Sequence, residues 1–262
     1  MSTPTTTKPT IVCVVGAWFL PASFDPLRAI LEEKSYPTVA VGHPSIGGTP
    51  PLTDFSADVS NLRNTLSKLI EEENKEVVLL LHSYGGIVGS CAAEGFGAVQ
   101  RAREGKKGGI LIVAYMSAFA VPKGTSTLDA LEGGRSSPWM RYEDDKVYIN
   151  VSLEALSDIP PAEQQKWAAL ISYTSAAAFE GKTTYEPWHD MPCMYLFCDE
   201  DEHLTPPVQE GMAKLMESGS GGRGVAKYHI KGWHNSFLSL PGEVAGGVEA
   251  AAREGVERTE KW

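Results

Sequence analysis

The chain has 262 residues, is 42% hydrophobic and 21% charged, and sets 23 Lys plus Arg against 33 Asp plus Glu for a net charge of −10. That composition is too apolar for a disordered chain, and the length suits one α/β domain with a large core. The acidity argues against general binding of nucleic acid or anionic membrane, both of which need clustered Lys and Arg.

Residues 1–10 are polar and Thr-rich, and the apolar run 11–20 is too short to span a bilayer. No leader is read there, and Glu260-Lys261-Trp262 matches no sorting signal, so a cytoplasmic location is expected. Residues 11–15 form a continuous apolar run, as in a strand buried on both faces. Leu27, Ile30 and Leu31 recur at helical spacing and predict a helix over 23–34. A short strand over 38–41 precedes the Gly/Pro-rich stretch 42–51. Phe55, Val59, Leu62, Leu66, Leu69 and Ile70 step by three and four, predicting an amphipathic helix over 54–73 with Asp54 as its N-cap.

Residues 76–81 give the strongest buried-strand signal, followed by a small-residue helix over 84–97. Further strands are predicted at 109–115, 192–198 and 225–230, with helices near 207–217 and 241–258. The Gly-rich 218–224 reads as a turn. Strands alternating with helices imply a mostly parallel sheet with helices on both faces. Between 119 and 190 no strand stands out, yet eight of the chain's 23 aromatics lie in residues 139–188. This stretch is read as a mainly helical cap insertion over an apolar pocket. The chain is then one domain, with a core of 8–118 and 191–262 and a cap of 119–190. Substrate-binding candidates are Phe19, Trp139, Tyr142, Trp167, Trp188 and Trp233.

Cys13, Cys91, Cys193 and Cys198 form no C-x-x-C pair and read as small buried hydrophobes, not a disulfide framework. Asn150-Val151-Ser152 is a formal glycosylation triplet and reads as chance. No His spacing suits a metal, and no strand-linked phosphate loop appears. Neither metal nor cofactor is expected.

The segment Leu81-His82-Ser83-Tyr84-Gly85-Gly86 carries the chemistry. A buried strand ends, a Ser follows, and two glycines open a helix. This resembles the nucleophile elbow G-x-S-x-G, with Leu81 standing where the first Gly is usual. A Ser on a sharp turn at a strand's carboxyl end projects its hydroxyl into the cleft, and small neighbours let strand and helix approach. A serine nucleophile needs a base, and the base needs an acid, in the chain order Ser, Asp or Glu, His. After the strand at 192–198 comes Asp199-Glu200-Asp201-Glu202-His203. After the strand at 225–230 comes Gly232-Trp233-His234-Asn235. Both lie beyond strand carboxyl ends, where parallel sheets form their sites.

These motifs make nearly the whole chain resemble an α/β-hydrolase. It is similar to the short ester hydrolases of fungi and, more distantly, to the plant methylesterase and hydroxynitrile lyase group. Gly16-Ala17-Trp18 resembles the family's oxyanion loop, residues 198–206 with Gln209 its acid loop, and residues 233–238 its base loop. The resemblance implies Ser83 as nucleophile, His234 as base and Asp201 as the orienting acid, with Asp199 as rival. It places the oxyanion on the backbone N–H of Tyr84 and of Ala17 or Trp18. Val15 and Phe19 replace histidines common in the family, which makes the entrance more apolar. Of the other histidines, His82 is expected to pack behind the elbow and His203 to be solvated, while His43, His189 and His229 lack a partner pattern.

The function expected is hydrolysis of a carboxylic ester or lactone of a medium-sized apolar or aromatic small molecule through an acyl-enzyme. The expected state is monomer or homodimer, with no nucleic-acid or membrane partner. Two alternatives keep the fold: a lyase or cyclase of a natural-product pathway on the same triad, or a hydrolase-like ligand-binding protein. Cyanohydrin cleavage is disfavoured because Asn235 stands where that group usually has Lys.

Overall fold

The computed structural model describes residues 8–149, 156 and 158–261. The Asn150 triplet therefore lies outside the described residues. Strand β1 (Thr10–Val14) is buried at every position and sits inside a six-stranded sheet. Helix α1 (Asp25–Glu33) follows a 3-10 turn at Pro21–Phe24, and β2 (Thr38–Val41) pairs with β1. Helix α2 (Ser56–Ser67) runs on into a π turn at Lys68–Glu72. Its formal N-cap is Phe55, not Asp54, but the Asp54 carboxylate still accepts the Ser56 N–H at 2.7 Å. The predicted cap chemistry is present one residue early.

Strand β3 (Glu76–Ser83) extends through the serine, and α3 (Gly85–Ala93) starts two residues on. The predicted helix 84–97 ends early. Gly95 adopts φ +82°, and a short helix α4 (Ala98–Arg103), which was not predicted, takes the chain to β4 (Gly109–Ala118). Strand β4 outruns its prediction by three residues, because Met116-Ser117-Ala118 continue the ladder towards β3 and β8.

The segment between β4 and β8 holds α5 (Thr127–Ala130), β5 (Met140–Glu143), β6 (Lys146–Ile149), α6 (Pro161–Ala168) and β7 (Thr174–Ser175). Helices and 3-10 turns are there as expected, but so is an antiparallel sheet of order β5-β6-β7, where no strand was expected. Its signal is period-two alternation rather than an apolar run. Met140-Arg141-Tyr142-Glu143 and Lys146-Val147-Tyr148-Ile149 flank a two-residue turn in which Asp144 takes φ +50°.

The chain returns to the main sheet with β8 (Cys193–Cys198), α7 (Pro206–Gly219), β9 (Ala226–Ile230), α8 (Ser236–Ser239) and α9 (Pro241–Thr259). The order is β2-β1-β3-β4-β8-β9, with every described pair parallel. Alternate residues of each strand enter opposite cores. Val12, Val14, Leu79, Leu81 and Tyr195 meet Leu62, Leu66, Ile87 and Met216 of α2, α3 and α7. Ile11, Cys13, Leu80, Ala114 and Leu196 meet Leu27, Leu31, Val244 and Val248 of α1 and α9. Each such aliphatic side chain contributes about 1.5–3 kcal/mol by leaving water. The strand order reverses between β1 and β3, so a crevice opens at their carboxyl ends.

Candidate active site

Ser83 ends β3 and takes φ +51°, a left-handed conformation that a non-glycine residue holds only when its surroundings enforce it. Its neighbours show what enforces it. A Cβ on Gly85 would stand 2.5 Å from the Val15 carbonyl oxygen, and one on Gly86 would stand 2.4 Å from that of Phe119. The approach is so close that only glycine fits. Leu81 is accommodated from the other side: a Cβ on Gly89, one turn into α3, would lie 2.1 Å from Leu81 Cδ2.

Behind the turn, Tyr84 anchors the elbow. Its hydroxyl donates to the buried Asp58 carboxylate at 2.8 Å. Asp58 also accepts the Ser45 N–H at 2.9 Å and the Ser45 hydroxyl at 2.6 Å. His43, which sequence reasoning left without a partner, packs edge-on to Tyr84 and bonds the Val15 carbonyl at 2.8 Å.

The acid loop after β8 is pinned by Gln209. Its amide bonds Cys198 N–H and carbonyl at 3.0 and 2.9 Å, and it donates to the Leu204 carbonyl at 2.7 Å. That turn points Asp201 inward. Its Oδ1 accepts the N–H groups of His203 and Leu204 at 2.7 and 3.0 Å, while Oδ2 meets His234 Nδ1 at 2.7 Å. Asp199 faces outward and pairs with His229 at 2.8 Å on the surface. The two acidic candidates are thus separated by geometry. Burial pushes the Asp201 carboxyl up, but His234 and the bonds from His234, Ser117 and the His203 N–H outweigh it and leave it below the usual value.

His234 follows β9 on the base loop. His82, expected to pack behind the elbow, packs against this loop: its Nε2 bonds the His234 carbonyl at 2.9 Å, and its ring packs on His234 and Phe237. Burial, reinforced by the neighbouring His234, drives the His82 pKa well below the ordinary value, so this imidazole is neutral.

Ser117 is a site residue that sequence reasoning missed. At the end of β4 its hydroxyl donates to Asp201 Oδ2 and lies 3.2 Å from His234 Nδ1. The signal was available: the apolar run of β4 continues past Tyr115, which places Ser117 at a strand's carboxyl end beside the other loops.

Ala17, Trp18, Phe19, Ser83, Phe119, Trp139, Ile149, His203, Leu204, His234 and Asn235 surround a narrow cleft. Of the expected pocket aromatics, Phe19 and Trp139 line it. Tyr142, Trp167, Trp188 and Trp233 are not among the lining residues. Tyr142 sits under the Arg135 guanidinium, Trp167 is buried with Leu156 and Ile159, and Trp188 packs on Tyr115 and over Gly219. The bulk of Trp167 and Trp188 fills cores, which aromatic composition alone does not distinguish from a pocket wall. His203, expected to be solvated, instead lines the cleft half-buried between Trp139 and His234.

The oxyanion expectation also narrows. Trp18 adopts φ +67°, and its backbone N–H donates to Thr174 Oγ1 at 2.9 Å, so it is not aimed at the cleft. Its indole N–H donates to the Val147 carbonyl at 2.8 Å. Ala17 and Tyr84 are the donors left from the predicted set. The neighbours of Thr174 hold this loop and the segment at Ser45–Gly47: Ser172 N–H bonds the Trp18 carbonyl, Gly47 N–H bonds that of Tyr173, and Ser175 N–H bonds that of Ser45.

Asp201, His203 and His234 bring donor atoms within 4.8 Å of one another, the spacing of a candidate metal cluster. The donor set does not suit a cation. Both Asp201 oxygens are already taken up by two backbone N–H groups, the Ser117 hydroxyl and His234. Among the described residues, no helix is long and apolar enough to cross a membrane.

Residues 11–246 match the family described as "Alpha/beta hydrolase family". "Alpha/beta hydrolase nvfD" of Aspergillus novofumigatus is 28% identical over 255 residues, covering 95% of this chain and 99% of that protein. Among solved structures, pyrethroid hydrolase PytH superposes with a TM-score of 0.73 at 20% identity, over 96% of this chain and 100% of that one. Polyneuridine aldehyde esterase does so at 0.67 and 17% identity, over 93% of this chain and 99% of that one. At these identities the two structures establish the shared fold.

Proposed function

The chain belongs to the alpha/beta hydrolase family, and from that premise we propose that it is a serine hydrolase cleaving a carboxylic ester or lactone of a medium-sized, largely apolar small molecule. The carrying observation is the bond from His234 Nδ1 to the buried Asp201, in a cleft that Ser83 enters from a strained turn. With Nδ1–H donated to Asp201, His234 Nε2 is the basic nitrogen. It takes the Ser83 proton as Oγ attacks the substrate carbonyl. The oxyanion is held by the N–H groups of Tyr84 and Ala17, each contributing about 3 kcal/mol. The N-terminus of α3 adds to that field. The tetrahedral intermediate collapses, His234 returns the proton to the leaving alkoxide, and an acyl-serine remains. Water deprotonated by His234 then attacks the acyl group and releases the acid and Ser83.

The cleft supports the substrate class: Phe19, Phe119, Trp139, Ile149 and Leu204 offer no charge to a ligand. The name of one structural neighbour, an esterase, points the same way. Four buried free cysteines suit a reducing compartment such as the cytoplasm. A fluorophosphonate probe should label Ser83, and Ser83→Ala should lose both labelling and p-nitrophenyl ester turnover, by about 10,000-fold or more. Retained turnover in that variant would overturn the assignment.

A further inference from the structure

The mechanism above gives no part to His203, which lines the cleft. The ring of His203 lies 5.2 Å from that of His234 and 5.5 Å from that of Trp139, centroid to centroid. Among the described residues, neither of its ring nitrogens has a hydrogen-bond partner, although it faces a cleft whose wall is mostly apolar. Its placement is fixed by its own backbone, whose N–H is bonded to Asp201 Oδ1 at 2.7 Å. Any residue supplies that N–H, so the imidazole is not needed to position the acid.

Resting on the hydrolase reading, we infer that His203 is a specificity-determining residue: it hydrogen-bonds a hydroxyl or carbonyl that the substrate carries close to its scissile ester. The substrates of choice are then β-hydroxy or β-keto esters, or ortho-hydroxyaryl esters, rather than plain hydrocarbon esters. The chemistry follows from position. A group within reach of His203 is also next to His234, and therefore next to the carbonyl that Ser83 attacks. Burial, helped by the neighbouring His234, brings the His203 pKa down to about 4. At neutral pH the ring carries one N–H donor and one bare acceptor nitrogen, so it serves either a hydroxyl or a carbonyl. A hydrocarbon ester offers the ring no hydrogen-bond partner, and discrimination comes from that unmet need.

The test compares p-nitrophenyl 3-hydroxybutyrate with p-nitrophenyl butyrate on the wild type, His203→Phe and His203→Gln. The wild type should favour the hydroxy ester in kcat/KM by about 10-fold or more. His203→Phe should lose about 10- to 100-fold on the hydroxy ester and stay within about 3-fold on butyrate. His203→Gln, which keeps a donor and an acceptor, should recover part of the preference. An equal fall on both esters, or no fall on either, overturns the inference. Fluorophosphonate labelling keeps the two failures apart. Labelled Ser83 without discrimination removes only the role of His203, whereas absent labelling removes the hydrolase reading beneath it.

Discussion

The two walls of the cleft are held in different ways. On the sheet side, Ser83 and Ser117 stand at the carboxyl ends of β3 and β4 while Asp201 and His234 follow β8 and β9, and each is bonded to another member or fixed by backbone too close for a side chain. On the other side, Phe119, Trp139 and Ile149 come from the segment between β4 and β8, whose small sheet buries few of its residues. One wall is set by hydrogen bonds and strand ends, the other by van der Waals fit. In the proposed reaction the first would define which bond is attacked, and the second what surrounds it.

That contrast can be broken by substitution. The largest effect belongs to the polar wall. Asp201→Asn should lower kcat by about 10,000-fold, since it disturbs the tautomer of His234, whereas Asp199→Asn should change it less than about 2-fold. An inverted result in ester assays would exchange the two roles. Ser117→Ala should cost about 10-fold in kcat with KM unchanged, because it removes one donor to the Asp201 carboxylate. A change confined to KM would assign Ser117 to the substrate instead.

The apolar wall should answer in KM. Trp139→Ala should raise KM for aromatic esters about 10-fold with little change in kcat. Trp188→Phe should leave kinetics intact and lower Tm, because Trp188 is a core residue. Equal kinetic loss in both variants would erase the distinction between wall and core.

The smallest effect is on acid stability. His82 and His203 are held below the ordinary histidine value of 6.5, His203 at about 4. The unfolded chain takes up protons as pH falls through 6.5 and the folded protein does not. Stability is therefore complete above about pH 6.5 and drains away as pH falls towards 4. Asp201, held below 3.8, adds its own loss only at lower pH. Thermal melts of His203→Gln should show a shallower fall over that window, and a slope equal to wild type would contradict the assignment.

How far these walls could be read from sequence follows the same division. Runs such as Val77-Val78-Leu79-Leu80-Leu81 announce buried parallel strands, and whatever follows them gathers on one edge of the sheet. Ser83 and His234 were legible for that reason. Asp201 over Asp199 came from the family resemblance and not from the residues themselves, because two residues of loop decide it and the deciding contact, Gln209 on Cys198 and Leu204, is a tertiary one. Ser117 was hidden inside an apolar strand whose end was placed too early. The aromatics of 139–188 announced burial without saying against what. Trp167 and Trp188 face cores, Trp139 faces the cleft, and no spacing separates the cases.

The pairing of Leu81 with Gly89 bears on how such sites are recognised. The crossing of strand and helix requires one missing side chain, and it does not matter which partner omits it. In the usual pentapeptide the strand omits it; here the helix does, six residues beyond the nucleophile. Replacing Leu81 by Gly should therefore make Gly89→Ala tolerable, while Gly89→Ala alone should be destabilising by about 1–3 kcal/mol. A pattern written as a choice between the two positions, rather than as a fixed five-residue string, is the one that describes the physical constraint.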